Sequence, residues 1–238
     1  MINVYLMTVS EWVAGVDGAQ KGWLVACLPI GHGEAAFLRR FETFHEVDKA
    51  LTQLECLAIG VDMPIGLQLG PTRKSDIEAR KRLGSRRSTL FPTPSSVVLE
   101  ATSYKDALKR SREQTEKGIS IQTWNLVPQI REVRTVIRPQ DSDRYVECHP
   151  ESSFVEMAGY PLTSKKTQEG IQQRTALLRE VVTDLEEIVE TLPKKCRIDD
   201  ALDAFAAAWS AMRYSNGTAI ILGDGEYDNQ GYPMRIVI

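Results

Sequence analysis

The sequence predicts an α/β fold with a mixed five-stranded sheet flanked by helices, and two observations lead to this prediction. Over residues 12–61, apolar runs of strand length and one amphipathic segment follow the order β-β-β-α-β. Segments with helical spacing and further short apolar runs then occupy the second half of the chain. If the strands on either side of the first helix are parallel, a right-handed crossover places that helix against the sheet.

The first strands predict a hairpin. Residues 12–16 and 22–30 are apolar runs, and the segment between them contains the turn sequence Gly-Ala-Gln-Lys. Residues 35–41 form a third predicted strand. Apolar residues in 45–54 recur at i, i+3, i+4 and i+7, which indicates an amphipathic helix, and residues 56–61 form the next strand.

The remaining elements are predicted by the same patterns. We interpret the whole chain, residues 1–238, as a single domain and residues 71–140 as a basic helical insertion within it. Helical spacing and apolar runs predict helices at 104–117 and 125–133, a strand at 145–148, helices at 171–191 and 199–214, and a C-terminal hairpin of 219–222 with 234–238.

The composition is that of an ordinary globular protein. Of the 238 residues, 42% are hydrophobic and 26% are charged, which is enough for a sizeable core. No apolar run is long enough to span a bilayer, and the first residues do not resemble a secretory signal, so we expect a cytoplasmic protein without a membrane partner. The four cysteines are widely separated, have no CxxC spacing and are predicted to be free thiols, most of them buried.

The charge distribution bears on the choice of partner. A net charge of −3 is unlike that of a typical nucleic-acid-binding protein, which carries excess Lys and Arg to displace counterions from phosphates. The basic residues are, however, concentrated in 73–87, while the acidic residues lie elsewhere, notably in 184–190 and 199–203. The basic segment could hold phosphates, or it could be an exposed amphipathic helix with solvated charges.

Two predicted strands end in the same way. The sequence Gly-Val-Asp occurs at Asp17 and again at Asp62. If the two strands are parallel neighbours, both aspartates emerge at the carboxyl edge of the sheet, roughly 4.8 Å apart. That edge is where open α/β sheets bind ligands. The alternative is that each aspartate begins a turn by bonding its own backbone.

A third group of acids lies on the predicted helix at 199–214. Asp200 and Asp203 share one face of this helix, and that face continues through small residues such as Ala204 and Ala207 rather than through solvated ones. A face of this kind allows the helix to lie close against another element. The alternative is that these acids cap the helix and complement its dipole.

Converging carboxylates need a counter-charge. Two unit charges about 4 Å apart repel by roughly 4 kcal/mol at an effective dielectric near 20. Oxygen ligands without a nearby Cys or His cluster favour Mg²⁺ or Mn²⁺ over zinc. Two such ions could activate water and stabilise the leaving oxygen of a phosphodiester.

At this point the residues resemble a known group. Two strands that carry aspartates and a late helix with Asp-Ala-Leu-Asp are similar to the RNase H-like superfamily, particularly its Holliday-junction resolvase branch. More narrowly, the chain resembles an uncharacterised family described as RNase H-like nucleases. The resemblance rests on five motifs in one order, namely GVDGAQKGW at 15–23, GVDMPIG at 60–66, ARKRLG at 79–84, ECHPE at 147–151 and DDALDA at 199–204.

The resemblance implies a set of site residues. Asp17 would be the metal ligand of the first strand, Asp62 the second carboxylate, and Asp200 and Asp203 the helix pair. Asp62 departs from the superfamily, whose second acid is often Glu. Glu147 could join the catalytic site. Candidates for substrate binding are Lys21, Arg80, Arg82, Arg86, Arg87, His149 and Glu151.

The resulting hypothesis is a nuclease that hydrolyses DNA or RNA phosphodiesters with two Mg²⁺ or Mn²⁺ ions. Two alternatives remain open. One is a nucleotide phosphotransferase of the actin and sugar-kinase kind, although the only late glycine-rich segment, 222–225, is too short for a phosphate loop. The other is a nucleic-acid-binding or protein-binding module that keeps the fold without turnover.

Overall fold

A computed structural model describes residues 11–31, 34–70 and 72–238. The main sheet has the strand order β3-β2-β1-β4-β5. Its strands are β1 (Glu11–Ala19), β2 (Gly22–Ile30), β3 (Phe37–Phe41), β4 (Ala58–Val61) and β5 (Tyr145–Glu147). Strand β2 is antiparallel to both β1 and β3, whereas β4 is parallel to both β1 and β5. The predicted mixed five-stranded sheet of an α/β fold is therefore confirmed.

The helices and the remaining strands complete the fold. The α-helices are α1 (Phe44–Gln53), α2 (Lys74–Leu83), α3 (Tyr104–Thr115), α4 (Ile121–Val136), α5 (Pro150–Ala158), α6 (Gln168–Arg179), α7 (Leu185–Glu190) and α8 (Ile198–Ser215). Short 3-10 helices cover Gly84–Thr89, Ser96–Glu100 and Pro139–Asp141. The C-terminal strands β6 (Ile221–Leu222) and β7 (Ile236–Val237) pair antiparallel, as predicted for the closing hairpin.

One predicted helix is wrong in extent. The segment 171–191 is not a single helix, because α6 ends at Arg179 and α7 begins at Leu185. The chain between them turns so that Val182 becomes buried, and Leu185 is buried at the start of α7. Both side chains join the apolar cluster that contains residues of α8. Burial of these two side chains therefore overrides the helical spacing of the charged residues around them.

A second difference is the helix α5, which the sequence analysis did not predict. Pro150 follows the strand β5 closely and suggests a break in the chain. In the structure it occupies the first turn of α5, and the His149 side chain caps that turn by accepting a hydrogen bond from the Ser152 amide. Proline is favoured at this position because its missing N–H would have no partner in the helix.

The two faces of the sheet pack against different helices. On one face, Val16 and Val61 pack with Ile130 and Val133 of α4. On the other face, Val13 packs with Phe205 and other buried residues of α8. Because side chains alternate along a strand, Gly15 and Asp17 lie on the same face as Val13 and point toward α8.

Helix α8 contacts the sheet directly at two glycines. A Cβ atom added at Gly15 would lie 2.0 Å from the Ala204 carbonyl oxygen and 2.2 Å from the Ala208 amide nitrogen. A Cβ atom added at Gly60 would lie 2.4 Å from the Ala207 carbonyl oxygen. The backbone of α8 therefore rests on β1 and β4, which only glycine in the strands and alanine in the helix allow.

Two other sequence predictions bear on the protein as a whole. Cys27, Cys56 and Cys148 are buried, Cys196 is half-buried, and all four are free thiols. The helices of the described residues include none with the length and apolar character needed to cross a membrane.

We predict that Gly15→Ala lowers the free energy of unfolding by about 3 kcal/mol or more, because the added methyl group meets helix backbone that cannot move aside. Urea denaturation measures this change. Gly70→Ala is the matched control, since its Cβ would lie 3.6 Å from the nearest atom, and we expect a change within about 0.5 kcal/mol. Equal stability of the two variants would contradict the close contact.

Candidate active site

A cleft of about 480 Å³ opens at the carboxyl ends of the parallel strands. Its walls come from β1, β4, β5, the start of α8, the loop before α6 and the segment after α2. The charged residues that line it are Asp17, Asp62, Arg73, Arg86, Glu147, Glu151, Lys165, Lys166 and Asp203. The apolar part of the wall includes Met63, Leu90, Phe91 and Leu126.

The parallel register places Asp17 beside Asp62. Val16 is paired with Val61, and the Asp62 amide donates a hydrogen bond of 2.9 Å to the Val16 carbonyl oxygen. The two aspartates are the next residues on their chains, as the repeated Gly-Val-Asp sequence predicts. Their carboxyl groups lie close enough together for the charge of Asp62 to raise the pKa of Asp17.

Asp203 joins this pair from the helix side. It lies directly before Ala204, whose carbonyl oxygen is the group in closest approach to Gly15. Its side chain is 3% exposed, and it lines the same cleft as Asp17 and Asp62. The close packing of α8 on the sheet therefore brings a third carboxylate to the ends of β1 and β4.

Burial and mutual repulsion raise the pKa values of all three carboxyl groups. Burial has the largest effect on Asp17, and the charges of Asp62 and Asp203 raise its pKa further. Burial and the Asp203 charge raise the pKa of Asp62 to about 7. Burial also raises the pKa of Asp203, against the effect of a nearby lysine. A cluster of this kind is electrostatically unfavourable without an added cation.

Lys165 supplies a positive charge to this cluster. Its Nζ donates a short hydrogen bond to Oδ2 of Asp203. Burial by itself lowers the pKa of Lys165, but the carboxylates of Asp203, Asp17 and Asp62 raise it above its ordinary value. One ammonium group therefore faces three acids.

Asp200 lies near this cluster, since its charge also raises the pKa of Asp17, but its carboxylate is bound elsewhere. Its carboxylate accepts a hydrogen bond of 2.9 Å from the Arg197 amide and lies 3.4 Å from the Arg197 guanidinium. It is the third residue of α8 and forms a capping interaction there. Asp200 is not among the residues that line the cleft. The structure thus brings together three of the four aspartates, and Asp200 occupies the capping position.

Glu147 lines the cleft but has its own partner. It is in register with Val61, so its side chain points to the opposite face of the sheet from Asp62. The two oxygens of Glu147 accept hydrogen bonds of 2.5 and 2.7 Å from the buried guanidinium of Arg73. Arg73 also bonds Asp76 at 2.6 Å, and Glu147 accepts a 2.9 Å bond from the Ile65 amide. These contacts form a complete buried ion network.

Glu151 and Arg86 are bound to each other. One oxygen of Glu151 accepts a hydrogen bond of 3.0 Å from Nε of Arg86, and the other accepts one of 2.7 Å from the buried Arg174. Both residues line the cleft. The geometry gives Glu151 the role of holding Arg86 in place.

His149 lines the cleft as a neutral side chain. Burial lowers its pKa to about 4. Its Nδ1 accepts a hydrogen bond of 3.3 Å from the Ser152 amide, which places the remaining ring proton on Nε2. A neutral imidazole contributes hydrogen bonds to this wall but no positive charge.

The other predicted substrate-binding residues lie outside the cleft lining. Lys21 is exposed in the turn between β1 and β2. Arg80 donates a hydrogen bond of 2.9 Å to the Leu90 carbonyl oxygen, and Arg82 forms a salt bridge with Glu156. Arg87 is exposed on the 3-10 helix after α2.

The carboxylate oxygens of Asp17, Asp62 and Asp203 are chemically suited to bind a divalent cation. Within 11–31, 34–70 and 72–238, no group of three or more His, Cys, Asp or Glu side chains already forms a metal-ligand arrangement. The mutual repulsion of Asp17 and Asp62 nevertheless marks a position where positive charge is needed, and Asp203 adds a third oxygen donor. Hard cations such as Mg²⁺ and Mn²⁺ prefer ligands of this kind.

Three charged residues of the cleft were not assigned a role from the sequence. Lys165 and Lys166 lie in the loop between α5 and α6, where no periodic pattern fixes a direction for a side chain. Arg73 carries no motif, and its burial follows from the fold alone. A signal for Lys165 exists only in retrospect, because a cluster of unpaired acids requires a cation from some part of the chain.

We predict that Asp62→Asn stabilises the protein in EDTA at pH 8 by about 1 to 2 kcal/mol, a value reduced for the partial exposure of Asp62. The pKa of Asp62 is raised from 3.8 to about 7 by folding, so the folded state loses stability as the pH rises through that interval. Asparagine is neutral throughout, and the gain should shrink at pH 5. Thermal unfolding at both pH values measures it.

Asp143→Asn, at an exposed site, is the control and should change stability by less than about 0.5 kcal/mol at either pH. A less stable Asp62→Asn at pH 8 would contradict the charge repulsion described above.

Comparison with known proteins places the chain in a family. No curated protein matches it. A solved structure titled "T. thermophilus RuvC in complex with Holliday junction substrate" is similar at 12% identity and a TM-score of 0.40, covering 87% of this chain and 97% of that one. The Thermus thermophilus RuvC structure is similar at 11% identity and a TM-score of 0.37, with coverage of 87% and 98%. Residues 15–227 match one family, and the chain belongs to that family, described as "Protein of unknown function (DUF429)".

Proposed function

We propose that this protein is a divalent-metal-dependent nuclease that hydrolyses phosphodiester bonds in DNA or RNA. The observation that supports this proposal is the convergence of Asp17, Asp62 and Asp203 in one cleft at the carboxyl edge of the sheet. Their raised pKa values indicate an arrangement that is unfavourable for stability alone. Arrangements of that kind are typical of functional sites.

In this proposal Asp17, Asp62 and Asp203 hold the cations. Divalent ions such as Mg²⁺ or Mn²⁺, when bound by these residues, would supply activation of a water molecule and stabilisation of the leaving oxygen. Asp200 acts on the same helix by capping its first turn, which fixes the direction from which Asp203 enters the cleft. The mechanism requires no covalent intermediate on the protein.

The chain's own residues bind and orient the substrate. Lys165 and Lys166 form one wall of the cleft, and Arg86, held by Glu151, forms another. These cations attract the phosphate and orient its oxygens. Neutral His149 and the apolar residues of the wall exclude bulk water from the carboxylates, which strengthens every charge interaction inside.

The basic residues available for nucleic acid are few. Arg80 and Arg82 bond groups of the protein away from the cleft. Lys165, Lys166 and Arg86 are the cations of the cleft wall that remain for a bound strand. This arrangement agrees with the net charge of −3. We infer that binding rests on a few phosphate contacts near the cleft rather than on a broad cationic surface.

We predict that Asp17→Asn, Asp62→Asn and Asp203→Asn each lower the rate of metal-dependent cleavage by at least about 100-fold, because each removes a charged ligand. Asp200→Asn is the matched control on the same helix and should retain activity within about tenfold. The assay uses labelled single-stranded, duplex, hybrid and branched substrates with Mg²⁺, Mn²⁺ or EDTA.

Cleavage that persists in EDTA, or that is indifferent to all three substitutions, would contradict the proposal. Retained binding of nucleic acid without any cleavage by the native protein would instead favour the non-catalytic binding module.

We also predict a shallow salt dependence of nucleic-acid binding. Three phosphate contacts give a slope of log K against log salt of about −2 to −3. Fluorescence anisotropy of a labelled oligonucleotide in about 50 to 300 mM KCl measures this slope. A slope steeper than about −5 would show that a larger cationic surface takes part.

A further inference from the structure

Lys165 is in direct contact with the group that would bind the cation. Its ammonium donates a short hydrogen bond to Asp203 and lines the same cleft as Asp17 and Asp62. The Lys165 charge lowers the pKa values of all three carboxyl groups. Lys165 thus already acts as a counter-cation for the whole cluster.

The loop that carries Lys165 is fixed by buried contacts. The guanidinium of Arg174, which is fully buried, donates a hydrogen bond of 2.8 Å to the Thr163 carbonyl oxygen. The Thr163 amide donates one of 2.9 Å to the Gln173 side chain. A Cβ atom added at Gly170 would lie 2.0 Å from the Ser164 carbonyl oxygen, so the loop packs directly on the first turn of α6.

The same arginine connects this loop to the opposite wall of the cleft. Arg174 bonds one oxygen of Glu151 at 2.7 Å, and Arg86 bonds the other at 3.0 Å. Glu151 is itself buried. One buried carboxylate therefore links the loop of Lys165 to the wall of Arg86, which holds the ammonium in a defined position over the carboxylates.

We infer that Lys165 is a resident counter-cation that a divalent metal ion must displace from Asp203, so that this lysine weakens metal binding in the absence of substrate. The inference rests on the proposed function, since it concerns the same carboxylates. An ammonium group and a divalent cation cannot both approach the Asp203 oxygens without strong repulsion. When displaced, the Lys165 side chain remains in the cleft and is free to contact a substrate phosphate.

Lys166 provides an internal comparison. It is the next residue, lines the same cleft and is exposed. The salt bridge to Asp203 is made by Lys165. Removal of either lysine changes the net charge by the same amount, but only removal of Lys165 takes away the contact with a proposed ligand.

The test is isothermal calorimetry with Mn²⁺ alone at pH 8.5, where protons compete least for the carboxylates. We expect Lys165→Met to bind Mn²⁺ at least about tenfold more tightly than the native protein, and Lys166→Met to bind within about twofold of it. Lys165→Gln removes the charge but keeps a hydrogen-bond donor to Asp203, so it serves if the methionine variant does not fold. Lys165→Arg keeps the charge and should bind as the native protein does.

The rise in Tm caused by Mn²⁺ provides a second readout, which should be larger for Lys165→Met and Lys165→Gln than for the native protein. If the native protein binds Mn²⁺ but the Lys165 variants bind it equally or more weakly, the inference is overturned and the proposed function stands. An equal gain in Mn²⁺ affinity from Lys166→Met would also overturn it, because the effect would then come from the net charge rather than from the contact with Asp203. If neither the native protein nor any of the variants binds Mn²⁺, both the inference and the proposed metal dependence fail.

Discussion

The close packing of α8 against Gly15 and Gly60 is the constraint on which the rest of the site depends. Backbone of the helix rests on backbone of the strands, with no room for a single Cβ atom at either glycine. This contact sets the distance of α8 from the sheet and thereby the position of Asp203. Without it, the strand pair Asp17 and Asp62 would have no third carboxylate over it, and the cluster would not form.

Strand parity divides the acids at this sheet edge into two kinds. Glu147 points to the face away from α8 and is bound by the buried Arg73 through two hydrogen bonds. Asp17 and Asp62 point toward α8, where they repel each other and face one lysine. An acid with a full partner contributes to the fold, whereas acids without one lower its stability. A shift of one residue along a strand decides which kind an acid belongs to. Glu147 is bound within the fold, whereas Asp17 and Asp62 belong to the proposed site.

The sequence predicts much of this arrangement. Alternation of apolar residues identifies the strands, and the repeat of Gly-Val-Asp predicts that Asp17 and Asp62 lie side by side, because both depend on local pattern. The small residues after Asp203 predict its approach to another element.

The roles of Lys165 and Arg73 could not be predicted, since both depend on where loops meet in three dimensions. Asp200 satisfies the helix spacing as well as Asp203 does, and only the structure shows that it bonds Arg197. The break between α6 and α7 was missed for a related reason, because burial of Val182 and Leu185 is a property of the tertiary fold.

We propose that the three carboxylates form a site for divalent cations. A crystal structure of the protein soaked with Mn²⁺, analysed by anomalous diffraction, would locate such a site. We expect anomalous density within ligand distance of Asp17, Asp62 and Asp203, with the Lys165 ammonium moved away from Asp203. Density at another place, or none at the cluster while Lys165 keeps its contact with Asp203, would show that these carboxylates are not a metal site.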